Sequence, residues 1–154
     1  MRAIVMVCAV LWSVAAQADV TARDGWAVFF TDKPYDQLVS DVQAAVKANK
    51  MGLVTQAGPT GAAKARGIDI PGNRVLGVFN NVFAVRVLEL STAAMIEAPI
   101  RLYVTETDSG ATLSYKTPTF VFSPYMAEAG PELGAAAREL DEIFDTIARD
   151  AVAR

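Results

Sequence analysis

The sequence predicts an α+β fold in which helices pack on one face of a mostly antiparallel sheet. Its elements follow the order strand, helix, strand, strand, helix, strand, strand, helix. Segments 100–106 and 112–117 flank the turn Asp108-Ser109-Gly110, which is typical of an antiparallel hairpin. From Pro131 onward, apolar residues recur at helical spacing. Helices mixed with a hairpin, rather than strictly alternating with strands, indicate the α+β class.

Three further segments are predicted strands. Residues 25–31 are rich in aromatic and β-branched side chains, and residues 53–57 form a short second strand. Residues 74–79 are apolar on both faces, which predicts a central position in the sheet. Gly77 in such a strand indicates that another backbone or a ligand comes close.

Two amphipathic helices cover this sheet in the prediction. The first runs from Tyr35 to about Asn49, with Pro34 at its start. The last begins near Pro131. Its predicted buried stripe is Leu133, Ala137, Leu140, Phe144, Ile147 and Ala151. Residues 62–66 suit one or two helical turns, and residues 119–125 are predicted to be extended.

Residues 82–90 are compatible with two structures. Their valines favour a strand, with Asn80-Asn81 as a hairpin turn. The same residues repeat at helical spacing, and Asn is a good helix N-cap, so we favour a helix. This helix is apolar nearly all round, which predicts burial on more than one side, under a long loop or a partner subunit.

The N-terminal residues 1–18 have the features of a secretory signal peptide. Arg2 precedes an apolar run from Ala3 to Ala16, and Ala16-Gln17-Ala18 is a cleavage site of the A-x-A type. We expect cleavage after Ala18, a single domain over residues 19–154, no membrane span after cleavage, and a periplasmic or secreted protein. The alternative is an N-terminal segment kept as a membrane anchor.

Composition excludes several chemistries. Histidine is absent and the only cysteine, Cys8, lies in the leader. The chain after residue 18 therefore lacks a disulfide, a thiolate nucleophile, a Ser-His-Asp triad and nitrogen or sulfur ligands for zinc. The net charge is −3 and there is no basic block, so we expect no nucleic-acid partner. We assign no catalytic residue, metal ligand or cofactor.

Two asparagines and an arginine are candidate ligand-binding residues near the third strand. Asn80 and Asn81 would lie at a helix N-terminus, where free N–H groups favour an anion or a carbonyl; alternatively they cap the helix. Arg86 could hold a carboxylate in a bidentate manner. It could instead reach the surface or pair with Glu89 or Glu97.

Two further candidates, Glu97 and Arg101, lie on either side of Pro99. Glu97 and Glu106 could also divide acid and base roles if their environments separate their pKa values. Solvated acids at strand ends are the alternative. The ligand-binding set is therefore Asn80, Asn81, Arg86, Glu97 and Arg101.

A family resemblance adds to these predictions. It rests on Tyr35-Asp36, Gly52, Gly67-Ile68-Asp69, the stretch Arg74 to Asn80, Ala84, Leu88-Glu89, Pro99 and Tyr103-Val104. Their order resembles the domain of unknown function 302 family (DUF302, TT1751-like) over about residues 25–152. The resemblance implies a TBP-like α+β fold, frequent homodimers, and a helix over residues 82–90. It implies no reaction.

The functional interpretation is an exported, dimeric domain that binds a small ligand in an apolar pocket between helix and sheet. Two alternatives stay open. One is an enzyme that uses carboxylates alone, and the other is an envelope interaction protein without a ligand.

Overall fold

A computed structural model describes residues 20–153, so the predicted signal peptide lies outside the described residues. The elements are β1 (Trp26–Thr31), α1 (Tyr35–Ala48), β2 (Gly52–Ala57), α2 (Thr60–Ala65), β3 (Asn73–Phe79), α3 (Asn81–Leu90), β4 (Ile100–Thr107), β5 (Gly110–Lys116), α4 (Pro118–Phe122), α5 (Met126–Ala129) and α6 (Pro131–Ala153). Two 3₁₀ turns, Ala93–Glu97 and Ser123–Tyr125, connect them. Over residues 20–153, none of the helices has the length and apolarity needed to cross a membrane.

The five strands form one sheet in the order β1-β5-β4-β3-β2, and every neighbouring pair is antiparallel. The α+β prediction is confirmed, including the β4–β5 hairpin. β4 is central, and its inward side chains Ile100, Leu102 and Val104 are buried. Because side chains alternate along a strand, Arg101 and Tyr103 point to the opposite face.

Helices α1 and α6 cover the inner face of the sheet. Every residue of the stripe predicted for α6 is buried. The Phe144 ring lies 5.5 Å from the Tyr115 ring, centroid to centroid, in a tilted arrangement. Leu38, Val42 and Val46 supply the matching stripe from α1. The two predicted amphipathic helices are therefore confirmed, and their apolar faces form the core with the sheet.

A partly buried ion pair and a hydrogen bond made by one lysine connect α1 to the last turn of α6. Lys33 Nζ donates to Asp41 Oδ2 at 2.8 Å and to the carbonyl of Ala151 at 2.7 Å. Gln37 Nε2 donates to Asp41 Oδ1 at 2.8 Å. The Lys33 and Asp41 side chains are only 15% and 11% exposed. One lysine thus links α1 to the last turn of α6.

The prediction of an extended segment over residues 119–125 is wrong. Residues 118–122 form α4 and residues 123–125 form a 3₁₀ turn. Thr117 Oγ1 accepts from the backbone N–H of Phe120 at 3.3 Å, and Pro118 occupies the first turn, where its missing N–H costs little. Asp141 Oδ1 on α6 accepts from the N–H of Thr119 at 2.9 Å. These caps outweigh the β-propensity of the aromatic residues.

Helix α3 confirms the helical prediction for residues 82–90 but not its predicted burial. Val82 is 77% exposed, Val85 56% and Leu88 49%. Val87 alone in α3 is fully buried. The helix packs along one side, and none of the described loops covers its apolar outer side.

The close approach predicted at Gly77 comes from two side chains rather than from a backbone or a ligand. A Cβ on Gly77 would collide with Thr55 Oγ1 and would lie 2.9 Å from Pro99 Cγ. The proline ring cannot rotate away, so this position in β3 requires glycine for packing.

We predict that Gly77→Ala destabilises the protein by about 1–3 kcal/mol, the usual cost of overpacking. The matched control is Gly61→Ala in α2, where the added methyl meets nothing within 4 Å. Alanine in a helix is favoured over glycine by roughly 0.5–1 kcal/mol, so the control should be neutral or stabilising. Urea unfolding of both variants measures the difference. Equal midpoints for the two variants would contradict the packing argument.

Candidate functional site

The face of the sheet turned away from α1 and α6, here called the outer face, carries a cavity. This outer cavity has a volume of about 220 Å³. It lies where β4 begins and β5 ends, and it is bounded by the 3₁₀ turn that ends at Glu97 and by Val121 of α4. Its lining residues are Trp26, Val75, Glu97, Ile100, Arg101, Tyr103, Tyr115, Lys116 and Val121. Two predicted site residues, Glu97 and Arg101, therefore share one cavity.

The strand register explains how distant residues meet at this cavity. Trp26 on β1 is paired with Lys116 on β5. Leu102 on β4 is paired with Tyr115 on β5, so the next position of the register places Arg101 across from Lys116. Trp26, Lys116 and Arg101 thus form a row across three strands on the outer face.

The basic side chains of this row have no acidic partner among residues 20–153. The Arg101 side chain makes no hydrogen bond or ion pair there. The Lys116 ammonium lies 5.9 Å from the centroid of the Trp26 ring, and the Arg23 guanidinium lies 4.8 Å from the same centroid. Such cation–π contacts hold the side chains in place without neutralising their charge.

The acid of the cavity, Glu97, has a different partner. The Tyr125 hydroxyl donates to Glu97 Oε1 at 2.8 Å. This hydrogen bond is the main cause that raises the pKa of Tyr125 above its ordinary value, with smaller contributions from desolvation and from the charges of Glu97 and Glu128. Donation to a carboxylate stabilises the protonated phenol.

Asn80 and Asn81 lie away from the outer cavity, at the start of α3. Asn80 Oδ1 accepts from the N–H groups of Val82 at 2.9 Å and Phe83 at 3.3 Å. Its Nδ2 donates to the carbonyl of Lys50 at 3.1 Å. The capping alternative describes Asn80, because both polar atoms of its amide make hydrogen bonds within the chain. Asn81 is exposed in the first turn.

Arg86 forms a bidentate ion pair with Glu139 of α6, at 2.7 and 2.9 Å. The predicted pairing of Arg86 with Glu89 or Glu97 is therefore wrong, because the guanidinium faces Glu139 across the α3–α6 contact. Its hydrogen bond lowers the pKa of the Glu139 carboxyl below the ordinary value. The pair is solvent-accessible and joins the surfaces of α3 and α6 rather than facing a cavity.

A second cavity lies between α3 and the sheet, where an apolar pocket was expected. Its volume is about 30 Å³, room for no more than about two water molecules. Its walls are apolar apart from Asn80; they include Val78, Phe83, Val87, Phe122 and Phe144. This second cavity is therefore too small for an organic ligand.

The two carboxylates considered for acid–base work do not meet. Glu97 precedes β4, whereas Glu106 is near its far end, about 20 Å of strand away. Glu106 Oε2 accepts from the N–H of Gly72 at 2.6 Å. Within residues 20–153, no group of three or more His, Cys, Asp or Glu side chains could hold a metal.

Sequence reasoning missed Trp26 and Lys116 as cavity residues, and it missed Tyr125 as the hydrogen-bond partner of Glu97. One signal was present: the alternation of β4 already placed Arg101 and Tyr103 on the same side. The register that brings Trp26 and Lys116 beside Arg101, and the helical turn that brings Tyr125 to Glu97, follow only from the folded chain.

The fold and the cavity define an α+β domain with helices on one face of an antiparallel sheet and an open polar-aromatic cavity on the other. The family model described as "Domain of unknown function DUF302" matches residues 28–148, and the chain belongs to this family. The resemblance stated from the sequence is thereby confirmed.

A solved structure shares this fold. The crystal structure of the uncharacterized conserved protein DUF302 from Bacillus stearothermophilus matches with a TM-score of 0.74 at 16% sequence identity. The match covers 84% of this chain and 99% of that chain. Likeness at this identity shows the fold alone. Comparison with the curated proteins gives no match.

We predict that Glu97→Gln lowers the pKa of Tyr125 toward its ordinary value of 10.0, because the phenol loses its carboxylate acceptor. Absorbance at 295 nm across an alkaline titration measures tyrosinate, and Tyr125→Phe assigns the transition. The matched control is Glu128→Gln, which should lower the pKa less because Glu128 acts only through its charge. An unchanged Tyr125 transition in Glu97→Gln would contradict the hydrogen bond.

Proposed function

We propose that this protein is an exported, homodimeric domain that binds a small ligand in the outer cavity. The observation that carries the proposal is the convergence of an unpaired guanidinium, an ammonium, a carboxylate and two aromatic rings on one concavity, supplied by Arg101, Lys116, Glu97, Trp26 and Tyr103. Binding sites usually combine apolar or aromatic walls with a few convergent polar groups. The outer cavity has this composition.

The alternatives have weaker support. An enzyme that relies on two carboxylates needs them close together, and Glu97 and Glu106 lie at opposite ends of β4. A pure interaction protein would need an apolar surface and no ligand cavity. An apolar surface exists on α3, but the outer cavity is present as well.

The export part of the proposal rests on the leader. Arg2, the apolar run and Ala16-Gln17-Ala18 have the order that signal peptidase recognises. The mature chain would begin at Asp19, just before the described domain.

The dimer part rests on α3. Val82, Val85 and Leu88 are spaced by three residues, so they lie on one side of the helix, and all three are exposed. A two-fold axis through this side would bring the same residues of two copies together, as isologous interfaces do. A second copy of the chain is therefore the partner we propose for this surface.

Native mass spectrometry of the protein purified from the periplasm tests the proposal in one spectrum. We expect a dimer whose subunits begin at Asp19 and which carries a reproducible added mass of one small molecule per subunit. Arg101→Ala should remove the added mass, whereas Arg138→Ala, an exposed residue outside the cavity, should keep it. A full-length cytoplasmic chain would overturn export, and a subunit without added mass would count against ligand binding.

Val85→Asp tests the dimer. Because Val85 is half exposed, the monomer should keep its fold, while a charge in the interface should weaken association at least about tenfold. Ile68→Asp is the matched control: Ile68 is 45% exposed but lies in a loop between α2 and β3. Light scattering coupled to gel filtration gives the mass. A Val85→Asp variant that remains as dimeric as the control would show that α3 is not the interface.

A further inference from the structure

The outer cavity is positively charged in a chain whose net charge is −3. Arg101 and Lys116 line this cavity. The Arg23 guanidinium lies over the ring of Trp26, which also lines the cavity. Glu97 is the single acid among the lining residues, and the Tyr125 hydroxyl occupies one of its oxygens. No ion pair within the described residues joins Glu97 to Arg101.

The strand register brings the two cations to neighbouring positions on the outer face. Extending the β4–β5 register by one residue beyond the Leu102–Tyr115 pair places Arg101 across from Lys116. Directly opposed side chains on antiparallel strands have Cβ atoms about 4.5–5.5 Å apart, and like charges in such a pair destabilise the sheet. An anion between the two side chains would convert this repulsion into two attractive contacts. The guanidinium can also hold a carboxylate with two parallel hydrogen bonds.

The walls beside the two cations are apolar or aromatic. Trp26 is the cross-strand neighbour of Lys116, and Tyr103 lies two residues from Arg101 on the same face. Val75 and Val121 complete this part of the lining. At about 220 Å³ the cavity is smaller than the roughly 300–1,000 Å³ of sites for drug-sized molecules. It suits a compact molecule with one charged end.

We infer that the ligand of the outer cavity is a small organic acid. Its carboxylate lies between Arg101 and Lys116, and its apolar or aromatic body lies against Trp26, Tyr103 and Val121. This inference rests on the proposed binding function and adds the chemical class of the ligand.

Tryptophan fluorescence provides a direct measurement. The chain has two tryptophans, and Trp12 is in the predicted leader, so Trp26 is the single tryptophan of the mature protein. We would titrate the mature protein with three probes of one shape: 3-phenylpropionate, 3-phenylpropionamide and 3-phenylpropylamine. We expect the acid to bind about 10- to 100-fold more tightly than the amide, the range for a charge-assisted hydrogen bond. The amine should bind most weakly.

Substitutions identify the two cations. Arg101→Gln and Lys116→Gln should each remove most of the preference for the acid over the amide. Arg138→Gln removes the same charge from an exposed position on α6 and should leave that preference unchanged. Thermal unfolding without ligand is a second readout: Arg101→Gln should melt no lower than the unsubstituted protein, because it removes a repulsion.

The outcomes separate this inference from the proposed function. Equal binding of acid and amide, or tighter binding of the amine, would overturn the organic-acid class while leaving the outer cavity as a binding site. If none of the probes binds, the organic-acid inference fails, and the proposed binding function is then decided by the added mass in native mass spectrometry. Acid selectivity that survives both Arg101→Gln and Lys116→Gln would place the anion elsewhere and overturn the inference.

Discussion

The alternation of side chains along β4 is the constraint on which the rest of the structure depends. Leu102 and Val104 point inward to the helices and are fully buried. Arg101, which precedes Leu102, and Tyr103, which lies between the two, point outward to the cavity. A one-residue shift in the β4 register would send arginine into the core and leucine into the cavity. The buried core therefore fixes the position of the outer site, because the same strand builds both.

Much of the fold is predictable because its signals are local. The apolar stripe of α6 and the turn between β4 and β5 are each contained in a short stretch, and both are confirmed. The failures involve contacts between distant residues. The helix at 118–122 combines a local cap at Thr117 with a hydrogen bond to the distant Asp141 of α6. The apolar composition of α3 predicted that the helix is buried on more than one side. Composition alone could not predict that the other described residues leave Val82, Val85 and Leu88 exposed.

The candidate site shows the same difference between local signals, which the sequence contains, and contacts between distant residues, which it does not. Asn80 was correctly placed at a helix N-terminus, yet its hydrogen bonds are used within the chain. Arg86 was assigned nearby partners and instead reaches Glu139. Glu97 and Arg101 do lie on one cavity, but Trp26 and Lys116 join them only through the pairing of β1, β5 and β4. A single sequence contains the residues of this site, but it does not reveal the strand register that brings them together.

The helices and the outer cavity lie on opposite faces of the sheet. Lys33 ties the first turns of α1 to the last turn of α6, so the helical layer is held together at that end. A molecule reaching Arg101 from solvent displaces neither helix, and no buried core has to open. For the proposed ligand, exchange would then need only diffusion and desolvation of the charged end, without a slow conformational step. Under the proposed binding function, occupancy of the outer cavity would follow the free concentration of the ligand with little delay.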